Sequence, residues 1–399
     1  ERIRRILAAC IALAAAAALG LLLGHLPGAA SDQPAAPAAP AACSPSFSVV
    51  VTFTNGGRWD MCWESRAKEG VVYRDGYYTP PGNPQQKIFS QLGIGQIFVP
   101  YDPGSPRFHD MSDFGIGSNH VTLDGSDCVD GKVLNDGAKD MLCQQVFSHG
   151  LRYLYGSVSA QKEALGLWSS AQIGAYNYVL QWNFHDDGTI EPVIGATGRL
   201  QYVDTSSAQA QYGWPIGPNR WGRSHIHTLY YRLDFDVGPA GNDAVEQYEF
   251  GGPGGTARRI FSTTLSTETA AQYSTERFRF WRIVDTATTN ADGHRISYEI
   301  APKFGYLHRN QVEPWTLNDV YVTNYAAGEI CATHNASNCG GTGSDVSAFV
   351  NGETVTDPVV WLSVTFHHVP RDEDEINMPL HWESFKLYPR DLTSVNPTP

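Results

Sequence analysis

From residue 47 onward, apolar and polar positions alternate in short runs broken by Gly, Pro, Asn and Asp. A period of two is the mark of a strand with one buried face. The pattern predicts strands over 47–53, 96–100, 178–184, 190–194, 225–237, 277–284, 295–301, 359–366 and 384–388. Asp186-Asp187-Gly188 joins two of them as a hairpin turn. Helical periodicity is confined to one short stretch, 136–142. Many short strands with little helix predict a mainly β chain, built as a large β-sandwich. No repeat and no composition break divides 47–399, which is read as one domain.

The N-terminal residues follow another pattern. Arg2, Arg4 and Arg5 precede an apolar run over 6–24, and Gly28-Ala29-Ala30 follows it. That order fits a cleaved signal peptide over 1–30, and the run is also long enough for an uncleaved membrane anchor. Either reading exports the chain, to a secreted or extracytoplasmic location. Residues 31–46 are rich in Pro and Ala and predict a stiff linker.

Cys10 lies in the apolar run, leaving Cys43, Cys62, Cys128, Cys143, Cys331 and Cys339. An even number in an exported chain suggests disulfides. Nearness in sequence suggests 43–62, 128–143 and 331–339, but other pairings remain open. Asn335-Ala-Ser337 is a glycosylation sequon, meaningful in a eukaryotic host. The formal net charge of −13 and the lack of a basic stripe exclude nucleic acid as the expected partner.

His225-Ile226-His227 opens the alternating run over 225–237. Residues two apart share a strand face, so the two imidazoles stand roughly 6.5–7 Å apart at the backbone. Both rings can then reach one ion, and imidazole pairs suit copper, zinc, iron or nickel. Taken alone, the pair is equally a strand that presents two histidines.

Other segments give the pair a context. Ala175-Tyr-Asn-Tyr-Val-Leu-Gln-Trp-Asn-Phe-His-Asp-Asp-Gly188 precedes Gly195-Ala-Thr-Gly198. Upstream lie Phe98-Val-Pro-Tyr-Asp-Pro103 and Asp110-Met-Ser-Asp-Phe-Gly-Ile-Gly117. Downstream lie Asp357-Pro-Val-Val-Trp361 and His367-His-Val-Pro-Arg371, then Met378-Pro379. In this order, over roughly 59–392, they resemble the catalytic domain of the copper amine oxidases.

The resemblance implies copper(II) held by His225, His227 and His368, with His367 on the opposite strand face. It implies a topaquinone cofactor made from Tyr176, six residues before Trp182 as in the family. A rival register would place the quinone at Tyr178. Asp110 corresponds to the catalytic base, Tyr101 to the tyrosine that hydrogen-bonds the quinone oxygen, and Phe108 to the aromatic gate. Cys128 and Cys143 resemble a family disulfide. Asp234, Asp236 and Asp357 correspond to a secondary calcium-type site.

The implied reaction turns a small primary amine and O2 into an aldehyde, ammonia and hydrogen peroxide. Protein side chains alone lack the redox chemistry for this, so a cofactor is required. The family pattern has Asn before the modified tyrosine and an acidic residue after it, whereas Ala175 and Asn177 stand here. Those departures support an alternative, a non-enzymatic copper-binding or interaction module that keeps the fold and the histidines. The resemblance further implies a homodimer, although the loops that would form its arms are short.

Overall fold

The computed structural model describes residues 43–101, 107–238, 243–251, 259–303, 313–333, 339 and 344–397. The export segment, most of the linker and the Asn335 sequon lie outside these residues. Two large antiparallel sheets dominate. The nine-stranded sheet runs, in hydrogen-bonded order, Ser48–Thr52, Arg58–Arg66, Gly70–Thr79, Gln86–Pro100, His225–Phe235, Pro358–His368, Val320–Asn324 and Thr269–Ala271, with Arg107–His109 paired to Gln86–Pro100. The eleven-stranded sheet runs Ile260–Leu265, Asp243–Phe250, Phe280–Thr289, Arg295–Ala301, Lys386–Arg390, Ile190–Gly198, Tyr176–His185, Val158–Ile173, Asp140–Tyr155 and Gly131–Asn135, with Met378–Ser384 paired to Ile190–Gly198.

Alternation decides which side chains meet between the sheets. On strand Tyr176–His185, the residues Tyr176, Tyr178, Leu180, Trp182 and Phe184 are all buried. Trp182 meets Tyr73 and Tyr231 of the other sheet, with ring centroids 5.8 and 5.6 Å apart. Phe184 meets Trp59 at 5.2 Å. Burying each such ring stabilises the fold by about 1.5–3 kcal/mol, with a further ~0.5–1.5 kcal/mol from edge-to-face geometry.

Two expectations are corrected. Residues 136–142 are not helical: a turn joins strands Gly131–Asn135 and Asp140–Tyr155. The Asp136 carboxylate accepts from the Ala138 and Lys139 amides at 2.8 and 2.9 Å, and Gly137 has φ +100°. Asn-Asp-Gly chemistry therefore outcompetes the short apolar period. The expected strand over 384–388 is two strands meeting at buried Phe385. Met378–Ser384 pairs with Ile190–Gly198, and Lys386–Arg390 pairs mainly with Arg295–Ala301.

The hairpin at Asp186–Gly188 is present, with the His185 amide donating to the Thr189 carbonyl at 2.8 Å. Disulfides join Cys43 to Cys62, Cys128 to Cys143 and Cys331 to Cys339. The first ties residue 43, near the end of the expected linker, to the sheet. Among the described residues, no helix is long and apolar enough to cross a membrane.

Candidate active site and metal centre

Strand register assembles the histidine cluster. His225 and His227 share a face of strand His225–Phe235, and the antiparallel partner Pro358–His368 places His368 directly opposite His225. A ligand atom from each of the three converges to within 4.8 Å. His225 and His227 are 2% and 1% exposed. His367 faces the other way and meets the Ser224 hydroxyl at 2.6 Å.

Hydrogen bonds set the tautomers of His225 and His368. His225 Nδ1 donates to the Arg223 carbonyl at 2.9 Å, leaving Nε2 as a lone pair. His368 Nε2 donates to the Asp374 carboxylate at 3.0 Å, leaving Nδ1 as a lone pair. The Tyr178 hydroxyl donates to Asp110 at 2.6 Å, and its oxygen lies 3.4 Å from His227 Nδ1. Burial holds the His225 pKa down at about 3 and that of His227 far below the usual range, so both rings are neutral.

His225 Nε2 and His227 Nε2 lie 2.9 Å apart. Metal–imidazole bonds of about 2.0–2.1 Å put two ligands at right angles about 2.9 Å apart. The residues therefore fit a nitrogen-bound transition metal, and outer partners such as Asp374 hold such ligands in place.

Tyr176 lies against this cluster. Its ring centroid is 5.2 Å from that of His225 and 5.4 Å from that of His227, and its hydroxyl is 3.4 Å from His368 Nδ1. Burial raises its pKa far beyond the usual phenol range, with added push from Tyr101 and Asp374. The phenol stays protonated unless a cation is bound nearby. Gly198 pairs with Tyr176 across the sheet at φ +119°. A Cβ there would overlap the Ala175 carbonyl oxygen and lie 2.9 Å from Tyr176 Cα. That close approach explains the Gly of the Ala-Thr-Gly segment. Tyr101 hydrogen-bonds Tyr176 and stacks on His225 with centroids 4.6 Å apart.

Asp110 begins a single wide helical turn, Asp110–Phe114, and is 5% exposed. The Gln96 side chain accepts from the Met111 and Ser112 amides at 3.1 and 3.4 Å. Gly115 closes the turn at φ +82°, where a Cβ would lie 2.6 Å from the Ala67 carbonyl oxygen. Burial raises the Asp110 pKa to about 7, and the Tyr178 hydrogen bond restrains that rise. A cavity of about 100 Å³ is lined by Val99, Tyr101, Phe108, Asp110, Phe114, Tyr176 and Tyr178, among others. A second cavity, of about 260 Å³, reaches Tyr176 from the His368 and Met378 side.

The structure thus joins His225, His227, His368, Tyr176, Tyr101 and Asp110 in one site. Asp234, Asp236 and Asp357 lie elsewhere; Asp234 is about 23 Å along the strand from His227. Among the described residues, these acids do not form a convergent ligand set. Lys87 pairs with Asp236, and Arg232 lies 3.6 Å from Asp234. Tyr178 was weighed from the sequence only as an alternative cofactor position. It shares a face with Tyr176, and its place two residues on was the available signal. Asp374 and Gln96 carried no such signal.

The enzyme-domain profile of the copper amine oxidases matches residues 146–399. A primary amine oxidase of Klebsiella aerogenes is 24% identical over 395 residues, covering 85% of this chain and 52% of that protein. A copper methylamine oxidase of Arthrobacter sp. (strain P1) is 24% identical, covering 88% of this chain and 61% of that protein. Among solved structures, a copper-containing benzylamine oxidase of Hansenula polymorpha superposes with a TM-score of 0.75 at 21% identity, covering 88% of this chain and 62% of that one. The chain spans about half to three fifths of the length of these proteins. The matched profile, which runs through the strands that carry Tyr176, His225, His227 and His368, places the chain in the copper amine oxidase family.

Proposed function

We propose that this chain oxidises a small primary amine to an aldehyde, with ammonia released and O2 reduced to hydrogen peroxide. The observation that carries the reading is the convergence of three histidines, with His225 Nε2 and His227 Nε2 2.9 Å apart, beside a buried, protonated phenol. His225, His227 and His368 would hold copper(II), and Tyr176 would be the precursor of topaquinone. Together these groups supply the electron-accepting carbonyl and the path of electrons to dioxygen.

The chain's own residues do the rest. Asp110 Oδ2 takes the proton from the amine's α-carbon, and a pKa of about 7 makes it a base poised near neutral pH. The Tyr178 hydroxyl holds that oxygen in place at 2.6 Å. Tyr101 holds the Tyr176 oxygen through its hydrogen bond. Val99, Phe108 and Phe114 make an apolar approach that keeps bulk water from the base. A cavity of about 100 Å³ fits a small amine. The three disulfides fit an oxidising, extracytoplasmic compartment.

Ala175 favours the second reading, a copper-binding module without the quinone, because it lacks the side-chain amide that the family places beside the tyrosine. Protein incubated with copper(II) in air and supplied with benzylamine, phenethylamine or short alkylamines separates the two. We expect amine-dependent peroxide release that Asp110→Asn abolishes. Copper retained at one equivalent with no peroxide from any amine supports the module instead.

A further inference from the structure

A second cluster lies at the far end of strand Tyr176–His185, about 30 Å from Tyr176 by strand rise. His149, His185 and Glu191 each bring one ligand atom to within 4.8 Å of the others. They come from three strands of the eleven-stranded sheet. His185 ends Tyr176–His185, and Glu191 follows it across the Asp186–Gly188 turn on Ile190–Gly198. His149 lies on Asp140–Tyr155, where the register shifts between Ser148 and Leu151. That bulge turns His149 over the intervening strand, bringing its ring centroid to 4.6 Å from that of His185.

His185 is fully buried; its Nδ1 has no hydrogen-bond partner, and its Nε2 has only a long contact to Glu191. The nearest carboxylate oxygen, Glu191 Oε2, is 3.4 Å from His185 Nε2 and 3.9 Å from His149 Nε2. A buried imidazole without partners is costly. A cation bound among the three groups removes that cost. Arg152 pairs with Asp186 and Lys162 with Asp187, so among the nearby cations Lys386 alone acts on Glu191 beside the histidines. Asn183 and Ser384 donate to the Glu191 oxygens at 3.4 and 3.2 Å, fixing the carboxylate as outer partners do in metal sites.

We propose that His149, His185 and Glu191 form a second metal site, one that takes a zinc-type divalent cation. Two imidazoles and one carboxylate make a set typical of zinc with an open fourth position. Tetrahedral ligands at about 2.0–2.1 Å lie about 3.3–3.4 Å apart, close to the His185–Glu191 separation. The half-exposed edge of His149 gives the ion its route in and leaves room for water as fourth ligand. The bound ion joins the bulged strand to the hairpin. This site is independent of the amine-oxidising reading.

The test uses the full chain loaded first with one equivalent of copper(II) and freed of excess, so that the first histidine cluster is filled and the second stays open. Zinc chloride is added, and both metals are counted after equilibrium dialysis. We expect one zinc per chain with copper retained, and at least tenfold weaker zinc binding in both His149→Ala and Glu191→Gln. His149 is partly exposed, so its substitution spares the core. X-ray absorption at the zinc edge should show two imidazoles. Failure of the wild type to retain zinc overturns the proposal. So does zinc held equally by wild type and both variants, since the ion then sits elsewhere.

Discussion

Replacing Tyr178 by Phe removes one oxygen from the centre of the site and isolates the role of a single hydrogen bond. The Tyr178 hydroxyl donates to Asp110 at 2.6 Å, and both groups are buried. A hydrogen bond to a charged group is worth about 1.5–3 kcal/mol. One pKa unit corresponds to about 1.4 kcal/mol. Losing a donor to the carboxylate form therefore raises the Asp110 pKa by roughly 1–2 units. Starting from about 7, the new value is roughly 8–9 by the same conversion. The base must be deprotonated to act, so the acid limb of kcat/KM for amine oxidation moves to higher pH by that amount. Rates at high pH recover toward the wild-type value. The assay is peroxide release against pH for wild type and Tyr178→Phe, with Asp110→Asn as the control that removes the limb. An unchanged midpoint, or a shift to lower pH, would falsify the assignment of the Tyr178 hydroxyl as the donor that tunes the base.

Other outcomes follow from the same geometry. Asp110 has a folded-state pKa above its unfolded value, so its favourable contribution is complete below about 4 and is lost as pH rises through about 7. Asp110→Asn should then melt like wild type at pH 4 and be more stable at pH 8, by up to about 4 kcal/mol; equal stability at pH 8 contradicts the buried, raised carboxyl. Gly198→Ala forces a Cβ into the backbone beside Tyr176 and should cost about 1–3 kcal/mol in chemical denaturation, so a neutral result would deny the close approach. Asp374→Asn removes the anion that orients His368 and should weaken copper binding roughly 10–100-fold, read by competition with a chromophoric chelator.

Local patterns carried some of the strands and part of the site, and Arg58–Arg66 and Gly70–Thr79 were among the strands they missed. Alternation marked 295–301 at both ends, because Arg295–Ala301 is a regular strand with one buried face. It missed most of Asp140–Tyr155 and Val158–Ile173, whose outer halves are exposed on both faces and lack a hydrophobic period. His225 and His227 were legible because both ligands sit two apart on one strand. His368 was not legible locally: its place depends on a register that joins residues 143 positions apart, and resemblance supplied it. The same holds for Asp110, whose carboxylate meets Tyr178, 68 positions away. The apolar period over 136–142 misled because an Asx turn costs less than a two-turn helix in isolation.

The most direct test of the central claim is redox-cycling quinone staining of the chain after aerobic incubation with copper(II), run beside Tyr176→Phe. If the three imidazoles place copper against the Tyr176 phenol, the wild type stains, and both Tyr176→Phe and copper-free protein do not. A wild type that takes up copper and stays unstained, or a Tyr176→Phe variant that stains equally, contradicts it.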